Sequence, residues 1–342
     1  MSKFIAIPVS VGDAFHLNIN DHTILVDGGQ DMTGFPHLFL QTIKDNKVNV
    51  VVCTHNDADH ANGIIGLLKA GISCDEIWLP GSWIDVLPEI LRPIDDVVKV
   101  LVDNIKEDKQ LSRDDNPNSN SPLLETYCDK RSEWSEQNKN KGEAIDLHED
   151  GWSDKLIVQL EKSAPWDSIA SQHGEFSRYK YFYHFIIDGL DSAEIELLWS
   201  AIDAARRIRS IAQEAFHRGI PVRWFQYDTS LPASGGDSYL QPLNAQEIAT
   251  VRVKPVGVTL LFLLSLSVSN KESLVFWSPP MDQKPGVLFT ADSDLQNVRL
   301  PKASDFHSAL ATAPHHGSDS NRSIGSDSID STEKLKVDLP AI

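Results

Sequence analysis

The chain has 342 residues, 41% of them hydrophobic, with 49 acidic against 31 basic residues and a formal net charge of -18. That length and apolar content suffice for one large layered domain, and the acidic balance excludes broad, non-specific coating of nucleic acid, whose phosphates such a field repels. The three cysteines, Cys53, Cys74 and Cys128, are too widely spaced for a disulfide framework or a CxxC metal site, which fits a reducing, cytoplasmic setting.

The first segments read as strands. Phe4 to Val11 is apolar and β-branched, Phe15 to Ile19 alternates, and Thr23 to Val26 follows a turn at Asn20-Asp21-His22. A glycine-rich break, Asp27-Gly28-Gly29, ends this hairpin, and Pro36 to Lys44 predicts a short helix. Val48 to Cys53 reads as a strand buried on both faces. Asp59 to Ala70 reads as a helix with Ile64, Leu67 and Leu68 on one side and Gly71 as its stop, and Glu76 to Leu79 as the next strand. Leu87 to Ile105 reads as helical. Asp108 to Glu143, which contains NPNSNSP and EQNKNKGE, reads either as a long solvated loop or as a lid or partner-binding insertion. A further helix starts after Asp191, with Glu194 placed for a capping box, and carries Leu198, Ile202, Ala205, Ile208, Ala212 and Phe216 at helical spacing up to Gly219. Its Arg206, Arg207 and Arg209 read as the wet face of that helix, with a nucleic-acid patch as the alternative. Strands are predicted at Val222 to Gln226, Val258 to Leu266, Ser273 to Trp277 and Gly286 to Thr290. No apolar stretch approaches the roughly 18 residues a membrane span needs, and the apolar run at the N-terminus is too short for a signal peptide. Strands, then helices, then strands again suit an α+β chain with two sheets packed between helices.

Chemistry concentrates in Thr54-His55-Asn56-Asp57-Ala58-Asp59-His60. The segment follows a buried strand and leads into a helix, the position where α/β sheets carry ligand sites. Imidazole and carboxylate are donors for divalent cations. His55 and Asp57 alternate and point at one metal; Asp59 and His60 turn toward a second. The alternative is a solvated turn with a capping Asp.

The segment resembles the HxHxDH signature of metallo-β-lactamase-fold hydrolases, with Asp57 in place of the second His. The HxDxDH form is characteristic of the hydrolase domain attached to the competence DNA-uptake channel protein and of soluble relatives. Other matches follow in order: Val11-Gly12-Asp13, Leu25-Val26-Asp27-Gly28-Gly29, His60-Ala61-Asn62-Gly63, Leu288-Phe289-Thr290-Ala291-Asp292, and Ala313-Pro314-His315-His316-Gly317-Ser318. Together they cover roughly residues 4 to 80 and 191 to 321.

The resemblance implies an αβ/βα metallo-β-lactamase-type sandwich as a single domain over residues 1–342, with 84–190 as an insertion or lid region. It implies two divalent metal ions, Mn²⁺ or Zn²⁺ with Mg²⁺ as an alternative, held by His55, Asp57, Asp59, His60, Asp292 and His315. Asp292 would bridge them. Asp27 would fix a ligand through hydrogen bonds, and Ser318 would donate to substrate. Asp59 and His316 would serve the reaction itself, Asp59 steering the attacking hydroxide and His316 orienting a phosphate or leaving group. Two departures accompany the match. The family's additional His ligand has no counterpart, and Gln241-Pro242-Leu243 lies where competence-type relatives carry a divergent motif. The chain also ends soon after His315-His316-Gly317-Ser318, and Gly325 to Ile342 does not supply a further strand pair, which leaves open an incomplete C-terminal sheet completed by a protein partner or a homo-oligomer.

The implied function is a metal-dependent phosphodiesterase or nuclease using a metal-bridging hydroxide. Its substrate would be a phosphate ester, with single-stranded nucleic acid or a cyclic nucleotide as candidates. An Asp ligand makes the site harder and favours metals suited to phosphate oxygens. Two alternatives stand beside it: hydrolysis of a small ester, lactone or cyclic nucleotide, and a non-catalytic, partner-dependent subunit of a multi-protein complex such as a bacterial defence system. No membrane association is expected.

Overall fold

The computed structural model describes residues 3–115, 144–164, 166, 189–252, 263, 272–281, 284–296, 298–301 and 309–317. Within them the chain is a mixed α/β structure built on a seven-stranded sheet. The sheet takes β1 (Lys3–Ala6), β2 (Phe15–Ile19), β3 (His22–Val26), β4 (Lys47–Val52), β5 (Ser73–Pro80), β7 (Val222–Tyr227) and β9 (Ala245–Ile248), side by side in that order. β3, β4, β5 and β7 run parallel, and β1, β2 and β9 add antiparallel edges. A second, four-stranded sheet runs in the order β13 (Leu310–Ala311), β12 (Val287–Phe289), β11 (Phe276–Ser278), β8 (Gln241–Pro242). A small ribbon pairs β6 (Ala144–Asp146) with β10 (Thr250–Arg252).

The β2–β3 hairpin turns where the sequence places it. Asn20 and Asp21 take φ 46° and 64°, which Asn and Asp tolerate and a two-residue hairpin requires. β1 stops at Ala6, short of the expected Val11: Ile7 N–H still donates to Ala14 O in register, but Pro8 has no N–H to give and Val9 N–H turns back to Ile7 O.

β4 is buried on both faces, as its continuous apolar run requires. Val51 packs with the helices, while Val50 and Val52 face the second sheet. The helical layer comprises α1 (Phe35–Ile43), α2 (Ala58–Lys69), α3 (Gly81–Ile90), α4 (Ile94–Asp115), α5 (Asp154–Lys162) and α6 (Ser192–His217). On the other face of the large sheet Phe276 sits 5.6 Å from Trp78 and 5.5 Å from Phe225, ring centre to ring centre. These contacts fix the layer order as helices, large sheet, second sheet.

The helical stretch expected over Leu87 to Ile105 falls in two helices, α3 and α4. Pro93 explains the break, because a residue before proline is pushed out of the helical region. Residues 108–115 are helical rather than loop, and 116–143 lie outside the described residues, as does most of the strand expected over Val258 to Leu266. The described parts of 84–190 contribute Leu87, Val98, Leu101, Trp152 and Leu160 to the same core as the sheet. The capping box of α6 forms as read: Asp191 accepts from Glu194 N, and Glu194 accepts from Asp191 N.

The arginines of α6 depart from the expected wet face. Arg206 alone is exposed. Arg209 is buried, donating to the carbonyls of Ile90, Arg92 and Ala164 and lying over the Trp166 ring. Apolar residues at helical spacing make one stripe, but a side chain long enough to reach open carbonyls follows a different rule. Among the described residues no helix is long and apolar enough to cross a membrane. Cys53 and Cys74 are free thiols, and Cys128 lies outside the described residues.

Candidate metal centre

The centre forms where the ends of strands from both sheets meet. β4 ends at Val52, and the chain enters α2 through Cys53-Thr54-His55-Asn56-Asp57. Close backbone approach fixes this loop. A Cβ on Gly12 would lie 1.8 Å from Asp59 O, and a Cβ on Gly63 would lie 1.8 Å from Gly28 O. Gly28 N–H donates to His60 O, and Asp13 N–H to Asp59 O. The glycines of the Val11-Gly12-Asp13, Asp27-Gly28-Gly29 and Asn62-Gly63 motifs are therefore contact points between the β1–β2 turn, the segment after β3 and the first turns of α2.

Asp27 is the hub beneath the centre. It is fully buried, with φ 59°. Its Oδ1 accepts from Thr54 N at 2.9 Å, and its Oδ2 accepts from Thr54 Oγ1 at 2.7 Å and from His60 Nδ1 at 2.8 Å. These bonds determine both imidazole tautomers. His60 places its Nδ1 proton on Asp27. Thr54 spends its only hydroxyl proton on Asp27, so it accepts from His55 Nδ1–H, 2.9 Å away. Each ring therefore turns its Nε2 toward the centre, the atom that would ligate a cation once it carries no proton.

Asp292 lies opposite, just past β12. Its Oδ1 is 3.2 Å from His60 Nε2 and its Oδ2 is 3.7 Å from His55 Nε2, so one carboxylate oxygen faces each ring. The rings themselves lie 4.0 Å apart, centre to centre. His55 Nε2 is buried and has no hydrogen-bond partner among the described residues. Ligand atoms of His55, His60 and Asp292 all lie within 4.8 Å of one another. Donors sharing a cation at about 2.1 Å stand about 3 to 4.2 Å apart. The donor set and its spacing thus fit a divalent cation.

The electrostatics match. Burial alone would lower the basicity of His60, but the Asp27 and Asp292 carboxylates outweigh it and raise its pKa well above the ordinary value. Burial pushes the Asp292 carboxyl up, but the adjacent His55 and His60 imidazoles hold it far below the usual carboxylate range. Three residues here, Asp27, Ala291 and His315, have positive φ without being glycine, at 59°, 46° and 49°. Such backbone is costly and collects at functional sites.

The remaining expected ligands are placed as follows. Asp57 occupies the N-cap position of α2 but makes no side-chain cap; its Oδ2 lies 3.8 Å from His55 Nε2. A merely capping Asp would have bonded the helix's open N–H groups. His315 follows β13, which runs parallel to β12, so the two strand ends bring His315 Nε2 to 3.9 Å from Asp292 Oδ2. His315 N–H donates to Ala291 O, tying the two loops. Asp59 is half-buried in the first turn of α2 and does not belong to the close three-residue group. His316 lies in the short 3₁₀ turn Pro314–Gly317; its side chain and Ser318 lie outside the described residues.

The sequence reading gave neither Thr54 nor Arg207 a role at the centre. Thr54 reads as an ordinary strand-end residue, and only its position between two ligand-directing groups signals its part. Arg207 Nε donates to Asn56 O from 151 residues away, a pairing with no local signature. No protein-family model matches the sequence, and no curated protein matches it.

Proposed function

We propose that the protein is a metal-dependent hydrolase of the metallo-β-lactamase type that cleaves phosphodiesters, with single-stranded nucleic acid or a cyclic nucleotide as substrate. One observation carries the reading: Asp292 turns one oxygen to His60 and the other to His55, at 3.2 and 3.7 Å, an arrangement in which one carboxylate can serve two cations. Asp57 beside His55 and His315 beside Asp292 supply further donors for the two positions. The helices, large sheet and second sheet supply three layers of the expected αβ/βα sandwich.

Bound divalent cations would supply a water acidified toward neutral pH and positive charge for the transferring group. The protein's own part is to aim and exclude. Asp27 and Thr54 keep both imidazoles in the tautomer that presents Nε2. The buried floor around Val52, Cys53 and Thr54 keeps bulk water from the ligands. In a chain of net charge -18 the loaded centre is the point to which phosphate is drawn.

Elemental analysis and turnover test this together. Protein purified without chelator should hold two divalent ions and should cleave labelled single-stranded DNA, RNA or a cyclic dinucleotide with Mn²⁺ at low salt. Asp292→Asn, which keeps the volume, should lose metal and all turnover. Metal-loaded protein that cleaves none of these, with Asp292→Asn behaving as wild type, overturns the reading in favour of a binding subunit.

A further inference from the structure

The Arg206, Arg207 and Arg209 run of α6 divides three ways. Arg206 is exposed beside Asp203, Arg209 is buried on carbonyls, and Arg207 turns toward the centre. Arg207 Nε donates to the carbonyl of Asn56, the residue between His55 and Asp57, so its guanidinium lies one peptide from both. Among the described residues its Nη1 and Nη2 make no hydrogen bond or ion pair. The Asp57 carboxylate is the largest charge favouring it, with Asp203 next. We propose that Arg207 is a substrate-binding residue that holds an anionic oxygen of a phosphate ester beside the metal centre, through the guanidinium nitrogens not committed to Asn56.

The argument rests on the hydrolase reading above and on three physical points. A guanidinium that is largely removed from water needs hydrogen-bonded, charged company. Nε fixed on a backbone carbonyl sets the plane of the fork, so the other two nitrogens are held ready rather than free to rotate. The fixed fork matches paired phosphate oxygens, which a Lys ammonium does not. Asp57 balances Arg207 only while its charge is its own. Once Asp57 ligates a cation, that charge is shared with the metal, and the guanidinium is left to take a second anion. Metal and substrate phosphate would thus load in order.

The test uses the full chain and inorganic phosphate as probe. Calorimetric titration of phosphate is run on metal-free and Mn²⁺-loaded protein, with metal content and melting temperature measured alongside. Arg207→Gln should weaken phosphate binding to the loaded protein at least about tenfold, the scale of one lost charge-assisted hydrogen bond, with metal content unchanged. Arg207→Lys, which keeps the charge and stem and guards against a folding defect, should weaken it by a smaller factor. Unchanged phosphate affinity in both variants overturns the proposal. So does loss of metal in step with phosphate, which would make Arg207 a support for the Asn56 carbonyl alone. Cleavage separates this from the parent reading: loaded protein that binds phosphate through Arg207 yet cleaves no phosphodiester keeps the anion site and sinks the hydrolase.

Discussion

Asp27→Asn is the sharpest perturbation available, because it changes one atom and leaves the backbone requirement intact. Asn accepts φ 59° as readily as Asp does, so no strain is added. The hydrogen bonding is another matter. Three donors converge on the carboxylate: Thr54 N–H, Thr54 O–H and His60 Nδ1–H. An amide has one oxygen. Placed at the Oδ2 position, it leaves its NH₂ against Thr54 N–H; placed at Oδ1, it leaves NH₂ against two donors. At least one buried bond to a charged group is lost, about 1.5–3 kcal/mol, and an unsatisfied donor remains. The expected cost is about 2–4 kcal/mol by urea unfolding of metal-free protein with unchanged m. Metal affinity should fall about 10- to 100-fold, because a neutral amide oxygen, even at the Oδ2 position, holds His60 and, through Thr54, His55 more weakly than the carboxylate does. A variant within about 0.5 kcal/mol of wild type that also binds metal as tightly refutes the claim that Asp27 sets both tautomers.

Two further outcomes follow from buried groups. Gly63→Ala should destabilise by about 1–3 kcal/mol or more, since the new methyl meets Gly28 O, a backbone atom that no rotamer change can move, and calorimetric melting checks it. His16 is buried on β2 with neither ring nitrogen hydrogen-bonded among the described residues. Its pKa is lowered from 6.5 to about 4, by burial first and the Lys3 charge second, against Asp45. The unfolded chain takes up this proton first, so stability is full above pH 6.5 and is lost as pH falls toward 4, by about 2 kcal/mol at pH 5 relative to pH 7. His16→Leu should remove that part of the acid loss, and equal pH dependence in the two proteins would contradict it.

Much of this architecture is legible in the sequence because local rules dominate it. The hairpin at Asn20-Asp21, the doubly buried β4, the helix after Asp57 and the capping box at Asp191 each rest on residues within one turn or strand of each other. The convergence of His55 and His60 with Asp292 is legible only through the order of motifs, since 232 residues separate His60 from Asp292. What stays hidden is long-range polar pairing. Arg207 and Arg209 share one helix and similar neighbours in sequence, yet one reaches the ligand loop and the other three carbonyls of the α3–α4 and α5 ends. Periodicity assigns a face to each residue; it does not say which open carbonyl that face will meet. Pro93, by contrast, carried its signal openly, and the break between α3 and α4 follows from it.

The placement of ligands also couples the centre to the packing of the two sheets. His55 follows β4 of the large sheet, and Asp292 follows β12 of the second. Neither sheet holds the set alone. The link between them is short: Leu274 N–H donates to Thr54 O, while Phe276, two residues on, packs against Trp78 and Phe225. Thr54 therefore joins three things at once, its carbonyl to the second sheet, its amide and hydroxyl to Asp27, and its oxygen to His55. A shift of the second sheet by a fraction of an ångström changes the separation of Asp292 from both imidazoles, on which the fit of a cation depends. On the proposed reading, a cation across His55, His60 and Asp292 would bond one sheet to the other, and its binding energy would add to the stability of the folded chain. Metal binding and sheet packing would then be one equilibrium, with Thr54 at the joint.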